Sequence, residues 1–124
     1  MTRLLLVAAG GALGAMARYG VGRWLPATGF PWPTLTVNVV GGLAMGLLSG
    51  WLAFRAGGGN EQLRLFAAVG VLGGFTTFSA FSLETALMIE RRQLALAGGY
   101  ALASVVLSVA ALFLGLMLAR RLFA

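Results

Sequence analysis

The stretch GVLGGFTTFSAFSLE, residues 70–84, decides the fold of an otherwise apolar chain. Its fifteen positions hold three glycines, four hydroxyl side chains and three phenylalanines. Apolar residues flank it at helical spacing, as in a membrane-spanning helix, but the glycines and threonines from Gly73 to Thr77 disfavour an uninterrupted helix. Because unpaired amides facing lipid cost several kcal/mol each, non-helical backbone at this depth must be buried or line a cavity. We therefore predict a membrane helix that is broken midway, with the break as a candidate site.

The composition is that of an integral membrane protein with little catalytic equipment. Of 124 residues, 60% are hydrophobic and 10% are charged, too few to cover a soluble core. The sequence has no cysteine and no histidine, which excludes disulfides and thiolate metal sites and removes the commonest general base, so we predict that it is not an enzyme. The net charge of +6 comes from arginines, most of them at segment ends, where they favour lipid headgroups over nucleic acid.

Four apolar segments predict four membrane-spanning helices in a single all-α domain that covers residues 1–124. A helix needs about 20 residues to cross a hydrocarbon core about 30 Å thick. The predicted spans run approximately over residues 4–25, 34–54, 65–89 and 94–118. Between them lie a proline-containing linker at 26–33, a hydrophilic loop that begins at Arg55, and a polar turn at 90–93.

The arginines are almost evenly divided between the two sides of the membrane. With four spans, one side carries Arg3, Arg55, Arg64, Arg120 and Arg121, and the other carries Arg18, Arg23, Arg91 and Arg92. Orientation follows the excess of positive charge in short cytoplasmic loops, and here there is almost none. We therefore predict insertion in both orientations, with two copies paired antiparallel about a two-fold axis in the membrane plane.

Three stripes of small or polar residues recur at four-residue spacing, each along one helix face. They are Gly10, Gly14 and Arg18 in the first span, Asn38, Gly42, Gly46 and Gly50 in the second, and Tyr100, Ser104 and Ser108 in the fourth. Stripes of glycine allow another helix to approach closely. Asn38 is either an interhelical hydrogen-bonding residue or a donor in a polar pathway. The serines either bond carbonyls of their own helix or form a polar track.

Neutral donors dominate the polar groups inside the spans, which suits the shallow binding of a permeating anion. Phe78 and Phe81 share one helix face, and their ring edges are partly positive, although ordinary packing is the alternative. Glu84 is the only carboxylate inside a span, and we interpret it as an interfacial capping residue rather than a proton carrier. Exposed carbonyls from Gly73 to Thr77 would suit a hard monovalent cation.

Three blocks of the sequence together resemble the Fluc (CrcB) family of fluoride channels, and the match extends over essentially the whole chain. The blocks are GGALGAMARY at 10–19, TLTVNVVGG at 34–42 and GGFTTFSAFSLE at 73–84. The resemblance implies an antiparallel, dual-topology homodimer of four-helix subunits in the bacterial inner membrane. It also implies two fluoride pores, one structural sodium ion at the dimer centre, and passive export of cytoplasmic fluoride that relieves its toxicity.

The resemblance also assigns expected roles to individual residues. Fluoride pore residues fall on Asn38, Phe78, Phe81, Tyr100, Ser104 and Ser108. The vestibule arginine is Arg18, and the supporting residues are Thr77 and Glu84. The sodium-binding carbonyls fall on Gly73 and Thr76 of both subunits. Ala80 stands where many relatives have threonine, which affects at most a secondary hydroxyl contact.

Two other classes of protein remain as alternatives from the residues alone. A small multidrug-type, proton-coupled exporter also has about four short helices, but it needs a membrane-embedded carboxylate in its first helix, and the first span here has none. A membrane assembly protein without transport activity would need only the glycine stripes.

Overall fold

The computed structural model describes residues 1–26, 29–54 and 60–124, and every regular element in these ranges is helical. In chain order these are α1 (Thr2–Trp24), α2 (Trp32–Phe54), α3 (Glu61–Leu63), a π-helix (Arg64–Leu72), α4 (Gly73–Phe75), α5 (Ser79–Glu90) and α6 (Leu94–Phe123). Residues 27–28 of the predicted linker and 55–59 of the predicted loop, Arg55 among them, lie outside the described residues.

Within the described residues, four stretches are long and apolar enough to cross a membrane. They are Thr2–Trp24, Trp32–Phe54, Glu61–Glu90 and Leu94–Phe123. The prediction of an all-α protein with four helices able to span a membrane is therefore confirmed. The last helix extends past the predicted end at residue 118 and includes Arg120 and Arg121 in its final turn, where their charge complements the helix dipole.

The third apolar stretch changes backbone geometry in its middle. The π-helix gives way to α4, which ends at Phe75, and Thr76 adopts an extended conformation with φ −82° and ψ 158°. The Thr76 amide still donates to the Leu72 carbonyl at 3.0 Å, but helical structure resumes only at Ser79. Residues 76–78 thus form a non-helical break between α4 and α5. The backbone groups between these points therefore need partners from outside a regular helix.

Glycines bring α1 against the third stretch. A Cβ on Gly10 would lie 2.9 Å from the Cα of Gly70, and one on Gly14 would lie 2.8 Å from the amide nitrogen of Phe75. The obstructing atoms are backbone, which cannot move aside as a flexible side chain can. Because the paired residue numbers rise together, α1 and this stretch run parallel.

A second glycine stripe brings α2 against α6 over a longer distance. A Cβ on Gly42 would lie 2.8 Å from the Ser108 carbonyl oxygen, and one on Gly46 would lie 3.0 Å from the Cα of Gly115. Farther along, Gly50 meets Ala119. These two helices also run parallel, as expected for spans that alternate in direction along the chain.

About half of the large apolar side chains are exposed. Among the described residues, the buried hydrophobic ones are Leu35, Val37, Met88, Ala97, Tyr100 and Ala119. By contrast Leu102 is 67% exposed and Phe113 60% exposed, both in the middle of α6. Such a surface matches hydrocarbon rather than water, so the molecule is a multi-pass membrane protein.

Candidate functional site

A cavity of about 420 Å³ lies between α2, α6 and the segment that joins α4 to α5. The predicted pore residues that line it are Asn38, Phe78, Phe81, Ser104 and Ser108. Thr76 and Thr77 add the break itself, while Met45, Val105 and Leu112 contribute to an apolar wall. Tyr100 does not line this cavity. The structure therefore brings the predicted pore residues together, with that one exception.

A glycine on α2 explains how closely the break approaches the cavity wall. A Cβ on Gly41 would collide with the Cγ2 methyl group of Thr76. The absence of a side chain at Gly41 therefore leaves room for the Thr76 side chain to pack directly against α2. This close approach brings Thr77 within hydrogen-bonding distance of Asn38.

The two phenylalanines differ in how they are held. Their ring centroids lie 5.5 Å apart with the planes tilted by 44°. Phe81 packs on Tyr100, with ring centroids 5.2 Å apart, whereas Phe78 is 77% exposed at the cavity. A tilted pair puts the edge of one ring towards the face of another. Phe81 is thus fixed by its neighbours, while most of the surface of Phe78 is available to another molecule.

The serines of α6 differ from the hydroxyl side chains of α5. Ser82 and Thr85 donate to carbonyls four residues earlier, those of Phe78 and Phe81, at 2.9 and 2.8 Å. The hydroxyls of the two α6 serines are buried and have no hydrogen-bond partner within the described part of the chain. These serines are Ser104 and Ser108. The interpretation that they bond their own helix is therefore wrong, and both serines line the cavity.

Asn38 pairs with the backbone of Thr77 through both ends of its side-chain amide. Its Nδ2 donates to the Thr77 carbonyl at 2.9 Å, and the Thr77 amide donates to its Oδ1 at 2.9 Å. The two bonds are consistent only with this orientation of the side chain. Asn38 is thus an interhelical hydrogen-bonding residue that also lines the cavity, and one Nδ2 hydrogen remains for a further acceptor.

Arg18 reaches the break from α1 and does not line the larger cavity. Its Nε donates to the Gly74 carbonyl at 3.1 Å. With Thr34, Thr77 and Ala80 it borders a separate cavity of about 170 Å³. The guanidinium therefore lies at the C-terminal end of α4, where carbonyls lack helical partners and positive charge is favourable.

Glu84 joins three helices through its two carboxylate oxygens. Oε2 accepts from the Thr34 hydroxyl of α2, and Oε1 accepts from the Tyr100 hydroxyl of α6, both at 2.9 Å. These partners are side-chain hydroxyls near the starts of α2 and α6, so Glu84 links helices, and its interpretation as an interfacial capping residue stays a prediction. Tyr100 is completely buried, which explains why its hydroxyl faces this carboxylate and not the cavity.

Thr34 is the site residue that the sequence reasoning missed. It is buried and bonds Glu84, although it lies at the start of a span, where a threonine resembles an ordinary helix-start residue. The signal that would have found it is the four-residue spacing from Asn38, which puts both on one face of α2.

Comparison with known proteins identifies relatives over the full length of the chain. The family model described as CrcB-like protein, Camphor Resistance (CrcB), matches residues 5–116. A protein of Caulobacter sp. (strain K31), named fluoride-specific ion channel FluC, is 63% identical over 99% of this chain and 98% of its own length. Proteins with the same name from Phenylobacterium zucineum and Hyphomonas neptunium are 60% and 59% identical, with complete coverage of both chains. The chain therefore belongs to the CrcB family, as its three sequence blocks predict.

Proposed function

We propose that this protein is a fluoride-selective ion channel that exports cytoplasmic fluoride passively down its electrochemical gradient. The observation that carries the proposal is the cavity, where an asparagine amide and two unpartnered serine hydroxyls meet two phenyl rings. The names of the relatives, fluoride-specific ion channel, support the choice of anion. Passive permeation needs neither ATP nor a covalent intermediate.

Neutral donors provide the means of binding fluoride in an apolar cavity. The anion must exchange water for protein donors, because burying an unpaired charge costs many kcal/mol. Ser104, Ser108 and Asn38 line the cavity, and we assign to fluoride the two serine hydroxyls, which have no partner within the described residues, and the second Nδ2 hydrogen of Asn38. Since none carries a fixed positive charge, fluoride binds shallowly and leaves again. The edge of the Phe81 ring adds a weak positive field.

A passive pore is sufficient for fluoride resistance. Hydrogen fluoride is a weak acid that crosses membranes from acidic surroundings and dissociates in a near-neutral cytoplasm, which traps the anion. Its outward gradient and the membrane potential then drive it through the pore. We propose that the channel lies in the bacterial inner membrane.

We propose an antiparallel, dual-topology homodimer with two pores as the working unit. The balanced arginines favour both orientations in the membrane. Phe78 supports the pairing, because 77% exposure at the cavity leaves a wall that a second subunit would complete. A two-fold axis in the membrane plane would then generate one cavity per subunit.

We propose further that the interruption after α4 is a functional break whose carbonyls bind a structural sodium ion. In an unbroken helix the Gly73 carbonyl would accept from the Thr77 amide, and the Thr76 carbonyl from the Ala80 amide. The Thr77 amide instead donates to Asn38, and the Ala80 amide donates to the Thr77 hydroxyl at 3.1 Å. Both carbonyls have lost their helical donors, so this donor set fits a hard cation shared by two subunits. Sodium would supply the positive charge that ties the two breaks together.

Anion release from liposomes tests the proposed function. Purified protein is reconstituted into liposomes that contain potassium fluoride or potassium chloride, and release is followed with ion-selective electrodes after valinomycin is added. We expect rapid loss of fluoride and retention of chloride, with no imposed proton gradient. Release that needs a pH gradient and a drug would indicate a multidrug-type exporter instead. Fluoride release no faster than from protein-free liposomes would contradict the proposal.

A further inference from the structure

We propose that Asn38 is a positioning residue that couples the anion pathway to the cation-binding carbonyls, through its pair of hydrogen bonds with the Thr77 backbone. One side chain lines the cavity and also decides which carbonyls of the break are free of helical partners. This inference rests on the proposed function for the identity of the two ions. It assigns to this amide a role in cation binding in addition to its contact with fluoride.

The first step of the argument concerns the Gly73 carbonyl. The nearest helical donor for that oxygen is the Thr77 amide, four residues later. The extended backbone at Thr76 turns this amide away from the Gly73 oxygen, and Asn38 Oδ1 accepts from the amide at 2.9 Å and so stabilises that arrangement. If Oδ1 is removed, the buried amide needs another acceptor, and the Gly73 carbonyl is the one that helical geometry offers.

The second step concerns the carbonyls that are not free. Asn38 Nδ2 donates to the Thr77 carbonyl, and Arg18 Nε donates to the Gly74 carbonyl at 3.1 Å. Side chains of α1 and α2 therefore bond the Gly74 and Thr77 carbonyl oxygens. In this proposal the Gly73 and Thr76 carbonyl oxygens are left for the cation. This pattern of bonds determines which carbonyl oxygens are left for a cation. Asn38 contributes in two ways, because it donates to the Thr77 carbonyl and accepts from the Thr77 amide, the helical donor of Gly73.

The coupling follows because the same amide has a second Nδ2 hydrogen, which we assign to the anion. An anion that accepts from the second Nδ2 hydrogen fixes the orientation of the Asn38 side chain. The same side chain holds the Thr77 amide away from Gly73. Binding at either site therefore favours the arrangement that the other site requires, and linkage makes this effect reciprocal.

Thermal unfolding of the purified full-length protein in sodium chloride or N-methylglucamine chloride tests this coupling. For the wild type we expect a higher Tm in sodium, and a larger sodium-dependent rise when fluoride is present. Asn38→Ala is expected to lose the sodium-dependent rise, since the Thr77 amide can then bond Gly73. Asn38→Asp retains an acceptor for that amide but loses the donor to the Thr77 carbonyl, so it is expected to keep part of the rise in Tm while losing most fluoride efflux.

A matched variant separates the coupling from a general loss of the pore. Ser104→Ala removes a cavity hydroxyl that has no bond to the break, so we expect lower fluoride efflux with the sodium-dependent rise in Tm intact. If Asn38→Ala is not recovered as folded protein, Asn38→Leu fills a similar volume without donor or acceptor and carries the same expectation.

Four results would overturn the coupling. They are a full sodium-dependent rise in Asn38→Ala or Asn38→Leu, loss of the rise in Asn38→Asp, absence of any rise in the wild type, and a wild-type rise that fluoride leaves unchanged. None of them bears on whether the wild type conducts fluoride, because liposome efflux decides that separately. A wild type that shows the rise in Tm but releases no fluoride would contradict the proposed function instead.

Discussion

The glycine stripes and the break both bring helices into close contact, but they do so with different atoms. Along α2 and α6, Gly46 faces the backbone around Gly115, and both helices keep their internal hydrogen bonds. At the break, Asn38 and Arg18 reach from other helices to the backbone of Thr77 and Gly74. The stripes join helices through shape alone, whereas the break needs side-chain donors and acceptors.

This difference shows which parts of the backbone can bind a ligand. A continuous membrane helix uses its own amides and carbonyls, so its surface offers only packing. A broken one exposes backbone groups, and the side chains around it decide which are bonded and which are left for a ligand. The polar residues of the stripes can therefore contribute to ligand binding only where they lie near the break.

Among the variants that test this difference, replacement of a stripe glycine by alanine is expected to reduce stability the most. Gly14→Ala and Gly46→Ala each place a methyl group against backbone of the facing helix, so we expect each to destabilise the fold by about 1–3 kcal/mol, the usual range for overpacking. Thermal unfolding in detergent measures the loss. Similar losses at the two positions would support the view that both helix pairs depend on shape.

Gly98→Ala is the matched control for these variants. It lies inside α6, and a Cβ there meets no atom within 4 Å. We expect no loss and a gain of up to about 1 kcal/mol, because alanine restricts the unfolded chain more than glycine does. A loss as large as that of Gly46→Ala would show that the glycine effect is not one of packing.

A smaller loss of stability is expected when a hydrogen bond between two side chains is removed. Tyr100→Phe removes the donor to Glu84 but keeps the ring that packs on Phe81, so we expect a loss of about 1–2 kcal/mol in unfolding free energy. Thermal unfolding measures it. Tyr19→Phe is the control, since Tyr19 is 69% exposed, and it is expected to be neutral. An equal effect at both positions would contradict the role of the carboxylate.

Much of the fold was predictable, because hydrophobic length and four-residue spacing are local properties of a sequence. The spans, the glycine stripes and the family resemblance all come from such patterns. The convergence of Asn38, Phe81 and the α6 serines on one cavity also agrees with the predicted pore residues, except for Tyr100.

The partners of the polar groups were not predictable from the sequence. Whether Ser104 bonds its own helix or faces a cavity depends on what α2 and the break leave open beside it. Glu84 contacts Thr34 and Tyr100 only when three helices meet, so its sequence position beside a polar turn did not reveal these partners. The π-helix before the break likewise has no sequence signal that distinguishes it from an α-helix.

The measurement that tests the central claim most directly compares fluoride efflux through Phe81→Ile and Phe113→Ile in liposomes. Phe81 lines the cavity, whereas Phe113 is 60% exposed on the outer surface of α6, so the same substitution removes a ring edge inside or outside the proposed pathway. We expect at least a tenfold slower release from Phe81→Ile, which corresponds to about 1.4 kcal/mol, and wild-type release from Phe113→Ile. Wild-type fluoride release from Phe81→Ile would contradict the assignment of this cavity as the fluoride pathway.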